Sequence, residues 1–324
     1  MKKFFYLAFA VLAAMTFTAC GDDDDDNGNG GKKPVTITKA AGADNAFLAV
    51  LDEGSLVQGE KSGSKVSKHV KEIGVLDGGE MSVTIEELDA NGDVTETEVI
   101  VADVEEIDKT DEGTLIKVKD SKIEGEVKLM DKPATSRAGG MQIEMNITIE
   151  GVTYSTNGTP AQCALKTVLA TNGGVLDYVC QKFQVKKMII ECEGDVKAYK
   201  TINSGNLLEV YKVANDNGAN LDDAVDKPKF NKTVKYVSVS RFGQIDIIYD
   251  NGTCDGGDWN WAKGQASQME MWLKDKGMGN KFIPENPTID LEFSGNTCMM
   301  TINADIKGSK NYTAALTLIM DVVK

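Results

Sequence analysis

The three tryptophans of the chain, Trp259, Trp261 and Trp272, all lie within one stretch of fourteen residues. An indole ring offers a flat apolar surface on which a sugar ring can stack, and a few placed polar groups make such a site selective. Two carboxylates, Asp255 and Asp258, stand beside the first two tryptophans. The spacing predicts a carbohydrate-binding site, and the alternative is that all three tryptophans fill the core.

Catalytic chemistry based on histidine would depend on His69, the single histidine of the chain. Its lysine-rich neighbours predict an exposed position and a lowered pKa, because like charges repel the protonated imidazole. No G-x-S-x-G motif accompanies it, so a Ser-His or Cys-His mechanism is not indicated. We predict no catalytic residues and a non-enzymatic protein.

Metal binding is also disfavoured by the residue types. One histidine excludes sites that need several. The segment Asp89–Asp93 resembles the opening of a calcium loop, but Val94 and Ile100 stand where that loop needs Gly and Glu. Asn91-Gly92 instead favours a hairpin turn, and we predict neither a metal nor a cofactor.

The tryptophans are expected to lie on a helix. Asp258 is a good N-cap, Gly277 would end the helix, and apolar residues recur at helical spacing over residues 258–276. A second helical region is predicted over about 159–184, where Thr159 precedes Pro160.

The remaining elements are mostly strands. Apolar and polar residues alternate in three successive segments from Ile289 to Val322, which predicts a C-terminal three-stranded meander with one apolar face. Strands are also expected over 207–213, and 214–232 is expected to be a loop. Together these features predict an α+β fold with antiparallel sheets.

Charge suggests two units. Residues 34–157 hold 25 acids against 12 bases, whereas residues 158–324 hold 20 against 19. We place an acidic β-rich unit at 34–157 and an α+β unit at 158–324. The net charge of −15 argues against a nucleic-acid partner.

The first residues predict where in the cell the protein is located. Lys2 and Lys3 precede an apolar run that is too short to span a bilayer, and Thr18-Ala19-Cys20 follows. Five aspartates, Asp22–Asp26, come next and predict a disordered tether over 20–33. Residues 1–31 resemble the lipobox and acidic export signal of surface lipoproteins of the Bacteroides group.

This resemblance implies that residues 1–19 are removed, that Cys20 carries acyl chains (palmitate among them), and that the protein hangs from the outer membrane facing the cell exterior. Five further cysteines permit at most two disulfides, and spacing does not choose partners among Cys163, Cys180, Cys192, Cys254 and Cys298.

We therefore expect a surface-anchored binding or interaction module. Glycan is the leading ligand, because the family contains many glycan-capture proteins and because of the Trp259 and Trp261 cluster. Two alternatives are a fimbrillin-like structural or adhesive subunit and a carrier of an apolar ligand. In the carrier, methionine-rich faces would line a cavity; these residues are Met141, Met145, Met299 and Met300.

Overall fold

The structure is a computed structural model that describes residues 40, 42–131, 141–170, 176–219, 231–262, 268–273, 288–306 and 311–323. The predicted signal peptide, Cys20 and the acidic tether lie outside the described residues. Most of the predicted loop over 214–232 lies outside them too. Among the described residues, no helix is long and apolar enough to cross a membrane.

The fold class predicted from the sequence is wrong. Of the described residues, 65% are in strands and 9% in helices, which makes the fold all-β and not α+β. Two antiparallel sheets account for the strands, one within residues 47–165 and one within residues 182–322.

The first sheet has ten strands, and eight of them, β1, β3–β8 and β10, pair in a closed ring; we call this sheet the barrel. Strand β3 pairs with β2 near its start and with β1 near its end, and β8 pairs with β10 near its start and with β9 near its end. The strands are β1 Phe47–Leu51, β2 Val57–Lys61, β3 Ser64–Val75, β4 Glu80–Leu88, β5 Val94–Thr110, β6 Gly113–Lys119, β7 Ile123–Asp131, β8 Met141–Ile149, β9 Val152–Ser155 and β10 Ala161–Leu165.

Alternation explains the barrel core. In β8, Ile143, Met145 and Ile147 are buried while their neighbours are not, as expected for a strand with one apolar face. The hairpin predicted at Asn91-Gly92 is confirmed between β4 and β5, where Gly92 has a φ of 88°. Strand β10 follows Pro160 in the chain and belongs to the barrel.

The second sheet, which we call the curled sheet, wraps around its own core. Strand β11 pairs with β13 at its start and with β19 along its length. Its elements are α1 Leu176–Val179, β11 Lys182–Gly194, β12 Ala198–Ile202, α2 Leu207–Ala214, β13 Val234–Val239, β14 Gln244–Tyr249, β15 Cys254–Trp261, β16 Gln268–Leu273, β17 Thr288–Ser294, β18 Thr297–Ile306 and β19 Tyr312–Val322. The meander predicted at the C-terminus is confirmed by β17, β18 and β19.

Both predicted helical regions need correction. The region 258–276 contains β15 and β16, which pair with Trp259 opposite Met271. Aromatic residues fit strands well, so pairing with the neighbouring strands overrides the helical spacing. Among its described residues, the region 159–184 contains strand β10, the four-residue helix α1 and the start of β11.

Residues 207–213, predicted as a strand, form helix α2. Asn206 caps it by accepting the N–H of Leu208 at 2.9 Å, and buried Leu207, Val210 and Ala214 follow helical spacing. The same apolar residues fit both periods over so short a segment, and the N-cap was the missed signal.

The two sheets meet face to face. Outward residues of β4, of β5 and of the turn between β3 and β4 pack against outward residues of β14 and β15 and against Lys182 and Arg241, and we call this contact the seam. Gly256 allows the close approach, since a Cβ at that position would lie 2.4 Å from Cγ2 of Val99. The seam therefore brings β15, which carries the candidate site, against the barrel.

Candidate functional site

Strand β15 separates the predicted site residues by its alternation. Asp255, Trp259 and Trp261 lie on one face, while Asp258 lies on the other. The helix expected from the sequence would have grouped these side chains differently. Trp272 lies on β16, with its backbone opposite Asp258.

Trp259 is a core residue. Its side chain belongs to the apolar cluster inside the curled sheet and is 2% exposed. The indole N–H donates to the carbonyl oxygen of Ser240 at 2.9 Å, so the one polar atom of the ring is satisfied. Trp259 offers no surface for stacking.

Trp261 is half-buried and is held in a fixed orientation. Its ring packs edge-on to that of Trp259, with centroids 5.1 Å apart and planes at 87°. Its indole N–H donates to the carbonyl oxygen of Ala170 at 2.9 Å. Part of this ring therefore stays accessible while two contacts fix its position.

The two carboxylates take part in separate ion pairs. Asp255 accepts the hydroxyl of Tyr249 at 2.5 Å and lies 3.6 Å from Nζ of Lys232. Burial, followed by the negative charge of Asp255, raises the pKa of Tyr249. This phenol is therefore neutral and is a donor at physiological pH.

On the opposite face of β15, Asp258 lies 3.7 Å from Nζ of Lys166, a residue that follows β10. The same ammonium lies 3.0 Å from Glu72 of β3. Lys166 thus links the barrel and the curled sheet. The side chain of Asp258 remains 48% exposed and can accept further hydrogen bonds. Asp258 is not the helix N-cap that the sequence predicted.

His69 is placed against expectation. It lies in β3, is 4% exposed, and its Nε2 is 3.5 Å from a carboxylate oxygen of Glu86. Burial lowers its pKa, and Lys71 acts in the same direction while Glu86 opposes it. The predicted direction of the pKa was correct, although burial is its largest cause, but the predicted exposure was wrong: His69 lies on the outer face of β3, next to the inward-facing Val70, and is buried there.

All five cysteines after Cys20 are free. Burial raises the pKa of Cys163 and of Cys192 to about 11, and raises those of Cys180, Cys254 and Cys298 as well. These thiols are protonated at neutral pH and are poor nucleophiles.

The methionine faces are divided between core and surface. Met145 and Met300 pack inside the barrel and the curled sheet respectively. Met141 and Met299 are half-buried. The buried methionines of these faces therefore belong to the two apolar cores.

The charged groups of the seam were not predicted. Asp77, fully buried in the β3–β4 turn, accepts the backbone N–H of Arg241 at 2.9 Å and also its guanidinium group. Arg241 reaches Asp177 as well, at 3.2 Å. Burial raises the pKa of Asp77 although the hydrogen bonds from Arg241 act to lower it.

A second group lies at the end of the same turn. Lys182 of β11 lies 3.4 Å from Glu80 and 2.6 Å from Asp103, both of which belong to the barrel. Farther along, Gln244 donates to Ser82 at 2.6 Å and to Asp246 at 2.7 Å. The run Asp77-Gly78-Gly79-Glu80 was the available signal, because a tight turn flanked by two acids brings both carboxyls close together.

Comparison with known proteins gives no relative. No family model, no curated protein and no solved structure matches the chain.

Proposed function

We propose that this chain is a non-enzymatic binding module displayed on the cell surface, and that its ligand is a carbohydrate that contacts Trp261. The observation that carries the proposal is the fixed, half-buried indole of Trp261, held by Ala170 and Trp259. A pre-oriented aromatic ring binds with little loss of conformational entropy. Trp259 and Asp255, which were grouped with it from the sequence, serve as internal contacts.

Several features of the site support binding without catalysis. The thiols are protonated at neutral pH, and the single histidine is buried beside Glu86. Asp258 and Asp255 each have a lysine partner. A carboxylate held in an ion pair can accept hydrogen bonds from a neutral polar ligand, but it is less suited to act as a general base.

The ligand test is a glycan panel probed with the full chain, followed by affinity and melting measurements on variants. Trp261→Ala removes the stacking surface and is expected to lower affinity at least tenfold while the protein stays folded. Trp261→Phe keeps an aromatic face and should retain part of the affinity. Tyr199→Ala is the matched control, because Tyr199 is an exposed aromatic on β12, 68% accessible, away from this ring.

Unchanged binding by a folded Trp261→Ala variant would remove Trp261 from the ligand site. A panel without any bound glycan would remove the carbohydrate. A fall in binding that accompanies an equally large fall in melting temperature would assign Trp261 to the core.

The surface address rests on the residues around Cys20. Lipidation is tested with Cys20→Ser, which should move the protein from the membrane fraction to the soluble fraction; unchanged membrane association would contradict it.

Surface display is tested by adding protease to intact cells, which should remove the protein. Replacement of Asp22–Asp26 by Asn should then protect it without affecting lipidation.

One observation favours a second function, that of an assembling structural subunit. Among the strands that the structure describes, β12 alone pairs on a single side. An edge strand presents backbone donors and acceptors to another chain. Light scattering over a concentration series would detect assembly, and Tyr199→Lys on β12 should reduce it. A monomer at every concentration would argue against this function.

A further inference from the structure

Glu80 is one of the buried acidic side chains of the seam. It lies at the first position of β4, where the chain leaves the turn that also carries Asp77, and it is 1% exposed. The backbone of the turn closes over it, since a Cβ at Gly78 would lie 2.4 Å from Oε2 of Glu80. The carboxyl group is thus shielded from water by its own turn and by the curled sheet.

The partners of Glu80 are few. Among the described residues, neither of its oxygens has a hydrogen-bond partner of good geometry. Its cationic neighbour is Lys182, whose Nζ lies 3.4 Å from Oε1 but only 2.6 Å from Asp103. One ammonium is therefore shared between two carboxylates, and the exposed one is nearer.

A second buried polar atom lies on the same face of the curled sheet. Ser238 is opposite Lys182 in the ladder between β11 and β13, and opposite Asp246 in the ladder between β13 and β14. Its hydroxyl is fully buried and has no hydrogen-bond partner in the described part of the chain. Buried polar groups left in this way are rare, because each carries a desolvation penalty.

We propose that Glu80 makes the contact between the two sheets dependent on pH. Uptake of one proton by its carboxyl group strengthens the packing of the barrel against the curled sheet. A neutral carboxyl avoids the penalty of a buried charge and gains an O–H donor. Lys182 loses little, because Asp103 still holds it.

The charges around Glu80 determine the direction of the effect. Burial is the largest influence and raises the pKa of Glu80; Lys182 and the backbone N–H of Glu80 itself lower it, while Asp103 raises it. Asp246 of β14 lies opposite Ser238 in the ladder between β13 and β14, and the Asp77–Arg241 pair lies at the other end of the turn. Burial acts to lower the pKa of Lys182, but Glu80 and Asp103 together raise it, so the ammonium stays charged.

The sign of the pH dependence follows from linkage. A carboxyl whose pKa is higher in the folded state than in the unfolded chain holds its proton over a pH range in which the unfolded chain has released it. The stabilisation is therefore present below the ordinary value of 4.5 and is lost as pH rises through the folded pKa. This is the reverse of a carboxylate stabilised by a salt bridge.

The first test is a comparison of melting temperatures for the full chain and the Glu80→Gln variant between pH 5 and pH 8. Glutamine has nearly the shape of the protonated acid, so the variant should melt several degrees higher at pH 8. The difference should shrink as pH falls. Glu106→Gln is the control, because Glu106 pairs with Lys117 on the surface and should show no such trend.

The second measurement needs no folded variant other than the wild type. Carbon-13 labelling of glutamate side chains allows the Glu80 carboxyl to be titrated by NMR, and the midpoint should lie above 4.5. A midpoint at or below this value would overturn the proposal. A Glu80→Gln protein less stable than wild type at pH 8 would also overturn it, because the charged form would then be the stabilising one.

Discussion

The barrel and the curled sheet both enclose an apolar core, but they differ in what surrounds the closing ladders. In the barrel, every strand pairs on two sides, and β5 is the longest strand at seventeen residues. In the curled sheet, β11 pairs with both β13 and β19, so backbone ladders close this sheet as well; β12 is an edge strand, and helix α2 buries its apolar face against the core. The comparison indicates that ladders close both sheets, and that the curled sheet differs in the edge strand and the helix that it adds.

The largest effect is expected from Trp259→Ala. This change leaves a cavity in the core of the curled sheet and should lower the free energy of unfolding by about 3–5 kcal/mol. Hydrogen exchange should accelerate first in β17–β19 and only later in β6–β8, since the cavity lies in the curled sheet.

Ile147→Ala in the barrel is the matched change, because this side chain is also fully buried. After Ile147→Ala, hydrogen exchange should accelerate in the barrel and in the curled sheet together only if the barrel is the less stable of the two. Equal acceleration in the two sheets after Trp259→Ala would contradict the comparison.

The second-largest loss of stability is expected at the seam. Arg241→Met leaves the fully buried carboxylate of Asp77 without its guanidinium and should cost about 3 kcal/mol, near the lower end for a broken buried pair because Arg241 itself is partly accessible. Denaturant unfolding measures this loss.

Adding Asp77→Asn to Arg241→Met should restore part of the stability, since no buried charge remains. A double variant as unstable as Arg241→Met alone would show that packing, and not the unpaired charge, causes the loss.

A smaller effect is expected where the two sheets approach most closely. Gly256→Ala places a Cβ against Val99 of the barrel and should cost about 1–3 kcal/mol through overpacking. Val99→Ala in the same chain should relieve the contact, so the double-mutant cycle should show a favourable coupling. Additive losses would mean that the strain arises within β15.

The two sheets also differ in how much of them the sequence predicts. Alternation along β8 and along β17–β19 has a period of two over seven or more residues, which helices cannot imitate. Residues 258–276 were read as a helix because Asp258 resembles an N-cap and the apolar residues fit a helical face. Only pairing with β14 decides the matter, and pairing is a long-range property.

The site was harder to predict than the fold, for the same reason. The contrast between Trp259 and Trp261 depends on the carbonyl groups of Ser240 and Ala170, which are distant in sequence. The Asp77–Arg241 pair joins residues 164 positions apart, and no local pattern connects them. The residue types identified the candidate side chains, but which of them are buried depends on the order in which the strands pair.

The smallest effect tests the role of α2 in the curled sheet. Asn206→Ala removes the side-chain oxygen that accepts the N–H of Leu208 and should cost about 1 kcal/mol, whereas Asn206→Asp keeps the cap and should cost little. If α2 supports the curled sheet, amides of β11 and β12 should exchange faster in the alanine variant while those of the barrel stay unchanged, because α2 packs beside β12 and β11. Faster exchange confined to α2 would show that the strands close without help from the helix. In that event, the ladder between β11 and β19, which is the longest in this sheet, would be what holds it together.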